Sequence, residues 1–220
     1  MMIDPNQVYI IDNVVPLLIQ DSIAHMSDHI PWSFVRQDKY GYTSKLNLPD
    51  NLALHAEEQF ICSLKYQDIE TYNYIYETFP WREILINTQN KLLGGNETSV
   101  TRVKFNRNIR SAQSTVNSIY LPHIDNTIEI QNGGDYWIGI YYIDNNDGDT
   151  IIFNETYQPN NFPTKAGFNE DKITNLTIKN RVTPKKGRFV LFNGKYFHAG
   201  CPPINYDLRT IINFNFKIKS

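Results

Sequence analysis

From residue 97 onward the sequence consists of short β-favouring runs separated by turn-forming clusters, and this pattern restricts the fold more than any other feature. The β-favouring runs are TSVTRVKF, VNSIYL, YWIGIYYI, DTIIF, NLTIKNRV, GRFVLF and LRTIINFNFKI. The segments between them, such as QNGGD, DNNDGD and TPKKG, are rich in residues that form turns. Seven or eight strands in about 120 residues predict an all-β sandwich or barrel.

The first half of the chain favours helices instead. Apolar residues recur at spacings of three and four within residues 66–93, with a break at Pro80, and this pattern predicts two helices or one kinked helix. A short strand at Val8–Ile11 and a helix from Pro16 to about Ile30 are expected to precede them. Helices are therefore expected to form a layer beside the β strands.

These two patterns together predict one domain that spans residues 1–220. In this interpretation residues 1–97 form a helical support layer, and residues 98–220 form the β core. A chain of 220 residues is long enough to bury most of its apolar surface in a single core.

Charge and hydropathy give no support for a nucleic-acid-binding or membrane protein. The 21 Lys and Arg residues and 23 Asp and Glu residues give a net charge of −2 and form no basic patch. No run of about 18 apolar residues and no signal-peptide pattern is seen, so we expect a cytoplasmic protein without a membrane partner. Cys62 and Cys201 form no CxxC motif, and we expect both to be reduced structural thiols.

The segment YLPHIDN places His123 and Asp125 two positions apart, so on a strand both side chains would point to the same face. A third ligand for a metal has to come from another strand, and His198 follows the predicted strand GRFVLF and a tight turn. Two imidazoles and one carboxylate on one face of a metal form the facial triad of non-haem Fe(II) oxygenases. His25 and His29 have no nearby carboxylate and are expected to be ordinary histidines.

Arg209 begins the last predicted strand, LRTIINFNFKI. Alternation places Arg209, Ile211 and Asn213 on one face of this strand, while Ile212 and Phe214 lie on the other. An arginine that points into a protein needs an anionic partner, and no carboxylate of the chain is obviously reserved for it. This arrangement favours a bound carboxylate ligand.

The order His123, Asp125, His198 and Arg209 resembles the H-x-D, distal H, then Arg or Lys pattern of the Fe(II)- and 2-oxoglutarate-dependent dioxygenases, in particular their prolyl 4-hydroxylase-like branch. GIYYIDNNDGDTIIF and VTPKKGRFVLFNGKYFHAG also resemble segments of that family. The resemblance implies a mainly β protein with a double-stranded β-helix, or jelly-roll, core packed on N-terminal α-helices. It further implies Fe(II) on the triad, 2-oxoglutarate on Arg209, O₂ as co-substrate and ascorbate as an accessory reductant.

The resemblance also implies four further residues near the co-substrate. Tyr142 matches a family tyrosine that helps to bind the far carboxylate of 2-oxoglutarate, although an aromatic core residue is the alternative interpretation. Tyr120 matches a family tyrosine near the site, and the following Pro122 leaves its orientation open. Thr150 and Asn213 match inward-pointing positions.

The function that the resemblance implies is hydroxylation of a C–H bond, most simply of a prolyl residue in a peptide or protein. The alternatives are a hydroxylase of a small molecule such as an amino acid, sugar or nucleotide, and a non-catalytic metal-binding protein of jelly-roll or cupin type. The segment Asn154–Asn180 is expected to be a lid or substrate loop. Aromatic residues in and near it could grip a peptide or serve as core residues, namely Trp137, Tyr157, Phe162 and Phe168.

Overall fold

The computed structural model describes residues 3–37, 46–49, 51–66, 69–70, 77–125, 136–157 and 174–218. The helices are α1 (Leu17–Ser27) and α2 (Trp81–Leu92). The strands are β1 (Tyr9–Ile11), β2 (Ser33–Gln37), β3 (Leu46–Asn47), β4 (Ala53–Leu54), β5 (Glu57–Tyr66), β6 (Ile69–Glu70), β7 (Thr98–Ile109), β8 (Ser118–Ile119), β9 (Tyr136–Tyr142), β10 (Thr150–Thr156), β11 (Thr174–Asn175), β12 (Ile178–Val182), β13 (Phe189–Asn193), β14 (Tyr196–Gly200) and β15 (Leu208–Ile218).

Two antiparallel sheets form the β core. The large sheet has the order β1-β13-β9-β15-β7-β5-β2, and β6 pairs with β5. The second sheet has the order β12-β10-β14. Apolar side chains of both sheets meet in one buried cluster, which includes Ile138 and Ile140 of β9, Ile152 of β10 and Val182 of β12. Two sheets packed face to face in this way confirm the predicted jelly-roll core.

The helices cover the other face of the large sheet. Ile23 of α1 and Ile84 and Leu85 of α2 share a buried cluster with Ile212 and Phe214 of β15. The alternation predicted for the last strand is therefore confirmed, because Ile212 and Phe214 pack with the helices while Ile211 packs in the cluster between the two sheets. Among the described helices, none is long and apolar enough to span a membrane.

The structure corrects the predicted content of residues 1–97, because this part of the chain supplies strands to the large sheet as well as helices. A helix beginning near residue 66 is wrong: β5 runs to Tyr66 and pairs with Ile69 of β6. Pairing of β5 with β7 along most of its length overrides the weak helical spacing of this segment. The predicted helix after Pro80 is confirmed as α2, and residues 71–76 lie outside the described part of the chain.

The structure also contains a strand that the sequence pattern does not reveal. β14 follows β13 after only Gly194 and Lys195, but it belongs to the second sheet, where it pairs with β10. The chain thus changes sheets at this turn, and the short segment YFHAG has too few alternating positions to be recognised as a strand. This change of sheets places His198 inside the jelly-roll.

The two cysteines are free and buried, as the sequence predicts. Burial raises the pKa of Cys62 and of Cys201 to about 11. Both thiols are therefore protonated at neutral pH, and the more reactive thiolate is scarce.

An ion-pair cluster beside β1 gives a testable pH effect. Asp12 accepts hydrogen bonds from Arg188 Nε and Nη2 at 2.7 and 3.1 Å and from Lys185 Nζ at 2.9 Å. The bonds from Arg188 are the main reason that the pKa of Asp12 falls from 3.8 to about 2. A carboxylate with a lowered pKa stabilises the folded state above its unfolded pKa, and this contribution is lost as the pH falls toward 2.

We expect Asp12→Asn to lower the free energy of unfolding at pH 7 by roughly 1 kcal/mol, the upper end for a partly exposed pair. The difference from wild type should shrink between about pH 4 and pH 2. Urea denaturation across this range measures it. Asp207→Asn is the control, because the Asp207 side chain is 86% exposed in its pair with Arg110. A loss that stays constant from pH 7 to pH 2 would exclude the ion pair as its cause.

Candidate active site

A cavity of about 440 Å³ opens between the large sheet and the second sheet. The inward-facing side chains of β7 and β15 line one side of it, and His123, Asp125 and His198 lie on the other. Most of these side chains are polar or charged. A concave polar site with converging titratable groups is the usual form of an active site.

The structure brings His123, Asp125 and His198 together. The backbones of His123 and His198 pair as an antiparallel bridge, with N–H···O distances of 3.0 and 3.1 Å. Asp125 Oδ1 lies 3.4 Å from His123 Nε2 and 4.0 Å from His198 Nε2. All three potential ligand atoms are within 4.8 Å of one another, which suits a single metal ion.

Backbone carbonyls orient both imidazole rings. Nδ1 of His123 is 2.9 Å from the oxygen of Leu121, and Nδ1 of His198 is 3.3 Å from the oxygen of Tyr196. A carbonyl only accepts hydrogen bonds, so each Nδ1 carries a proton and each Nε2 is directed toward Asp125. Burial opposes a charge on His123, but its hydrogen bond to Asp125 raises its pKa. A metal ion that takes the place of the Nε2 proton leaves the ring protonated at Nδ1 alone. This is the tautomer that a metal-binding histidine needs.

His198 provides the test of whether a metal fits. Its Nε2 is buried and has no hydrogen-bond partner. Burial, followed by the charge of His123, lowers the pKa of His198 to about 4, so the ring is neutral at pH 7. A buried lone pair without a donor is costly, and a cation at this position would satisfy it. The three residues therefore fit a divalent metal ion.

Asp125 is held by two amides on β15. Its Oδ2 accepts hydrogen bonds from Asn213 Nδ2 at 3.0 Å and from Asn215 Nδ2 at 2.9 Å, while Arg102 Nη1 lies 3.5 Å from Oδ1. Burial alone would raise the pKa of Asp125, but Arg102 and the two histidines hold it well below its usual value. The carboxylate is therefore ionised, and Oδ1 faces the imidazoles.

The role of Asn213 is more specific than the sequence indicates. The resemblance places this residue near the co-substrate, and the structure shows it both lining the cavity and binding Asp125. Asn215 does the same for Asp125 from the next inward position, and the N-F-N spacing on the inward face was its only sequence signal. Partners of this kind orient metal ligands.

We expect Asn213→Ala and Asn215→Ala each to weaken Fe(II) binding by about 10- to 100-fold, because Asp125 loses one of two donors that fix its orientation. Competition with a coloured chelator measures the affinity. Asn87→Ala on α2 is the matched control, since its amide donates to the Glu83 backbone oxygen within the helix and lies away from the cavity. Unchanged iron affinity in both variants would show that the amides do not position the carboxylate.

Arg209 lies at the other end of the inward face of β15 and is only 3% exposed. It donates from Nε to the Gly148 oxygen at 2.6 Å, from Nη2 to Thr150 Oγ1 at 2.8 Å and from Nη1 to Asn108 Oδ1 at 3.2 Å. No carboxylate of the described residues forms an ion pair with it. Three of its five N–H groups are thus used, and the remainder can bind an anion in the cavity.

Gly148 permits this packing of Arg209. A Cβ atom at this position would lie 2.6 Å from Arg209 Cδ and 2.7 Å from the Cys201 backbone oxygen. Both contacts are shorter than the protein interior allows, so glycine lets the backbone approach the guanidinium closely.

The structure places Thr150 and Tyr142 behind and beside Arg209. The hydroxyl of Tyr142 donates to Thr150 Oγ1 at 2.7 Å, and that oxygen also accepts from Arg209. Thr150 lines the cavity, and its own hydroxyl proton is free to donate to a ligand there. Tyr142 is fully buried and is not among the residues that line the cavity, and its hydroxyl contacts Thr150.

Tyr120 points into the cavity, which resolves the orientation that Pro122 left open. Its backbone N–H donates to the oxygen of Gly200 at 2.9 Å and thereby fixes the segment against β14. Burial raises the pKa of Tyr120, so its hydroxyl stays protonated and can donate a hydrogen bond.

The remaining sequence predictions have different outcomes. Trp137 and Tyr157 are buried core residues and line no part of the cavity. Phe162, Phe168 and most of the predicted lid lie outside the described residues, while the described parts of Asn154–Asn180 include strand residues of β10, β11 and β12. His25 lies on α1 and His29 lies just after its end, with ring centroids 4.7 Å apart, and no metal-binding group other than the triad is found in the described parts of the chain.

Further charged and polar residues of β5 and β7 line the cavity without having been predicted from the sequence, including Asn106 and Asn108. Glu57 and Gln59 lie on β5, and Arg102 and Lys104 lie on β7. The signal for β7 is present in TRVKFN, where Arg102 and Lys104 alternate with residues that include the fully buried Val103. Glu57 and Gln59 were not recognised, because the sequence pattern predicted a helical layer for residues 1–97 and not a strand.

No protein-family model and no curated protein matches the sequence. Solved structures do match. An oxidoreductase of the 2OG-Fe(II) oxygenase family from Burkholderia pseudomallei is 9% identical, with a TM-score of 0.59 over 96% of this chain and 84% of that chain. A prolyl hydroxylase from Trichoplax adhaerens, in complex with a hypoxia inducible factor oxygen degradation domain peptide fragment, is 14% identical, with a TM-score of 0.52 over 97% and 84%.

A third similar structure is the non-heme alpha ketoglutarate dependent epimerase SnoN from nogalamycin biosynthesis. It is 8% identical, with a TM-score of 0.58 over 97% of this chain and 79% of that chain. At such low identities these likenesses establish the fold and leave the substrate open. The chain has the fold of the 2OG-Fe(II) oxygenases, a double-stranded β-helix backed by helices.

Proposed function

We propose that this protein is an Fe(II)- and 2-oxoglutarate-dependent dioxygenase that hydroxylates a C–H bond. The observation that carries the proposal is that one cavity contains two groups that lack the partner their chemistry requires. The buried Nε2 of His198 lacks a partner beside His123 and Asp125, and Arg209 lacks an anionic partner farther along the cavity. A metal ion and a carboxylate satisfy these two requirements together.

Fe(II) would be held by Nε2 of His123, Nε2 of His198 and Oδ1 of Asp125. Two imidazole nitrogens and one carboxylate oxygen leave further coordination positions open, which distinguishes this donor set from a closed structural site. When bound, Fe(II) supplies the activation of O₂ that no side chain can supply. The chain's own part is to orient the ligands through Leu121 and Tyr196 and to keep Asp125 ionised.

2-Oxoglutarate would lie between the triad and Arg209. Its far carboxylate suits the remaining N–H groups of the guanidinium, because the planar fork matches two carboxylate oxygens. Thr150 and Tyr120 each have a hydroxyl proton available in the same part of the cavity. Tyr142 and Asn108 hold these donors in place from behind.

The reaction balances with these components. The substrate R–H, O₂ and 2-oxoglutarate give R–OH, succinate and CO₂. One oxygen atom enters the product and the other enters succinate, and the four electrons that reduce O₂ come from the C–H bond and from decarboxylation. The walls of the cavity position the reactants and exclude water from them.

A prolyl residue in a peptide or protein is one candidate substrate, and it rests on the sequence resemblance and on the peptide-bound prolyl hydroxylase of similar fold. A small molecule is the second candidate, and the charged lining of the cavity favours it. A non-catalytic metal-binding protein is disfavoured, because a structural metal site has no need of an unpaired buried arginine such as Arg209.

The test is a substrate screen with the purified protein, Fe(II), 2-oxoglutarate, ascorbate and O₂. Proline peptides, amino acids, sugars and nucleotides are supplied as separate pools, and products are analysed by mass spectrometry. We expect a product heavier by one oxygen atom from one pool, with succinate released in equal amount. Tight metal binding without any consumption of 2-oxoglutarate would identify a binding protein instead.

A further inference from the structure

β7 adds two cationic side chains to the cavity beside the candidate metal site. Lys104 pairs in register with Asn213, and Arg102 pairs with Asn215, the two residues that hold Asp125. Both cations therefore lie at the level of the triad, whereas Arg209 lies four residues from Asn213 along β15. The cavity thus has positive charge in two separate places.

Lys104 has no partner for its charge. It is partly buried and lines the cavity, yet it forms no hydrogen bond or ion pair with any residue that the structure describes. Burial and the charge of Arg102 lower its pKa to about 8, although the charges of Asp125 and Glu57, which form no ion pair with it, act in the opposite direction. A partly desolvated cation of this kind favours an anionic ligand.

Glu57 does not fill this role. Its Oε1 accepts a hydrogen bond from Asn108 Nδ2 at 3.0 Å, at the end of the cavity where Asn108 contacts Arg209. The residue of β5 that pairs with Lys104 is Ser63, six positions away from Glu57 or roughly 20 Å of strand. Glu57 therefore acts on Lys104 only as a distant charge, while its hydrogen bond is made at the Arg209 end of the cavity.

The charges of the cavity also leave one positive charge unmatched. Arg102, Lys104 and Arg209 carry three positive charges, and Glu57 and Asp125 carry two negative charges. Fe(II) and doubly charged 2-oxoglutarate add equal and opposite charges, so the excess remains after both are bound. Arg102 shares Asp125 Oδ1 with the proposed metal, which weakens its ion pair and leaves its charge available.

We propose that Lys104 and Arg102 form a second anion-binding subsite, which holds a carboxylate or phosphate group of a small-molecule substrate beside the metal site. This inference rests on the proposed oxygenase function and names its substrate class. A neutral prolyl residue would leave Lys104 without a partner in a desolvated position. Amides from Gln59 and Asn106 line the same side of the cavity and suit the polar groups of a small metabolite.

The first experiment measures binding without turnover. Protein loaded with Mn(II) and 2-oxoglutarate is titrated calorimetrically with amino and hydroxy acids, with sugar and nucleoside phosphates, and with the neutral amide or dephosphorylated form of each. Proline peptides with and without an adjacent Asp or Glu form a third set. We expect an anionic small molecule to bind at least tenfold more tightly than its neutral counterpart. Whether the acids or the phosphates bind shows which anionic group the subsite holds. Binding of neutral prolyl peptides, or of none of the anions, would overturn the proposal.

The second experiment uses variants on the compound selected by binding. Lys104→Met should raise its KM at least tenfold more than it raises the KM for 2-oxoglutarate, and Lys104→Arg should restore most of the loss. Lys91→Met is the matched control, because Lys91 is on α2 and bonds to the Asn13 backbone. A larger effect on 2-oxoglutarate than on the compound would assign Lys104 to the co-substrate and refute the subsite.

Failure of this inference is distinguishable from failure of the proposed function. Succinate formation from 2-oxoglutarate by the Fe(II)-loaded wild type is measured in the same preparations without added substrate, with O₂ and with ascorbate as the reductant. If succinate forms but no anion binds, the oxygenase function stands and the subsite is wrong. If no succinate forms with or without the compounds, the oxygenase function itself is wrong.

Discussion

His198→Ala is expected to abolish Fe(II) retention and turnover together. The variant removes the buried Nε2 that has no partner in the protein, and this is the ligand atom least able to be replaced by water. Residues that merely orient metal ligands change affinity by about 10- to 100-fold, so loss of a ligand should exceed about 100-fold. Asp125→Ala and His123→Ala should behave in the same way, since each removes one of three ligands.

Metal content after gel filtration and the dissociation constant for Fe(II) measure this effect, with thermal unfolding to confirm that each variant is folded. His25→Ala is the matched control, because His25 is an exposed histidine on α1. Full iron content and wild-type turnover in any one of the three variants would remove that residue from the proposed triad.

Arg209→Ala should leave iron binding largely intact and weaken 2-oxoglutarate binding by roughly 2–5 kcal/mol, a factor of about 30 to 4,000 in Kd. The loss is large because the guanidinium is buried and would pair with a carboxylate in a desolvated cavity. The substitution also removes the hydrogen bonds that Thr150 and Asn108 accept from Arg209. Part of the loss in 2-oxoglutarate affinity therefore comes from these two side chains, which are no longer held in place.

Arg209→Lys separates charge from geometry. A lysine keeps the positive charge but cannot reproduce the planar fork, so it should recover only part of the lost affinity. Calorimetric titration with 2-oxoglutarate measures both variants, and Arg110→Ala on the surface serves as the control. If Arg209→Ala binds 2-oxoglutarate like the wild type, the co-substrate is anchored elsewhere.

Local periodicity was sufficient to predict much of this fold. The alternation in the last strand places Arg209 and Asn213 inward and Phe214 toward the helices, as the structure confirms. β5 was not predictable in the same way, because its strand state depends on pairing with β7, about 40 residues later in the chain. Long-range pairing of this kind leaves little trace in a single sequence.

The candidate site likewise has features that local spacing predicts and features that depend on long-range pairing. The spacing of His123 and Asp125 on one face needs only the strand period, and the sequence therefore identifies the pair. The hydrogen bonds from Asn213 and Asn215 to Asp125 depend on how β15 is placed against the His123 segment, which no local pattern encodes. The hydrogen bond from Tyr142 to Thr150 likewise depends on the placement of β9 and β10 in the folded protein.

The most direct test of the oxygenase proposal is the stoichiometry of 2-oxoglutarate turnover. Succinate, CO₂ and O₂ are measured together for the wild-type protein with and without Fe(II), in the absence of added substrate and with ascorbate present to supply the two electrons that the substrate would otherwise give. The proposal predicts slow succinate formation that requires both Fe(II) and O₂, with one CO₂ released and one O₂ consumed per succinate. Binding of Fe(II) and 2-oxoglutarate without any succinate, or succinate formed equally without Fe(II), would contradict it.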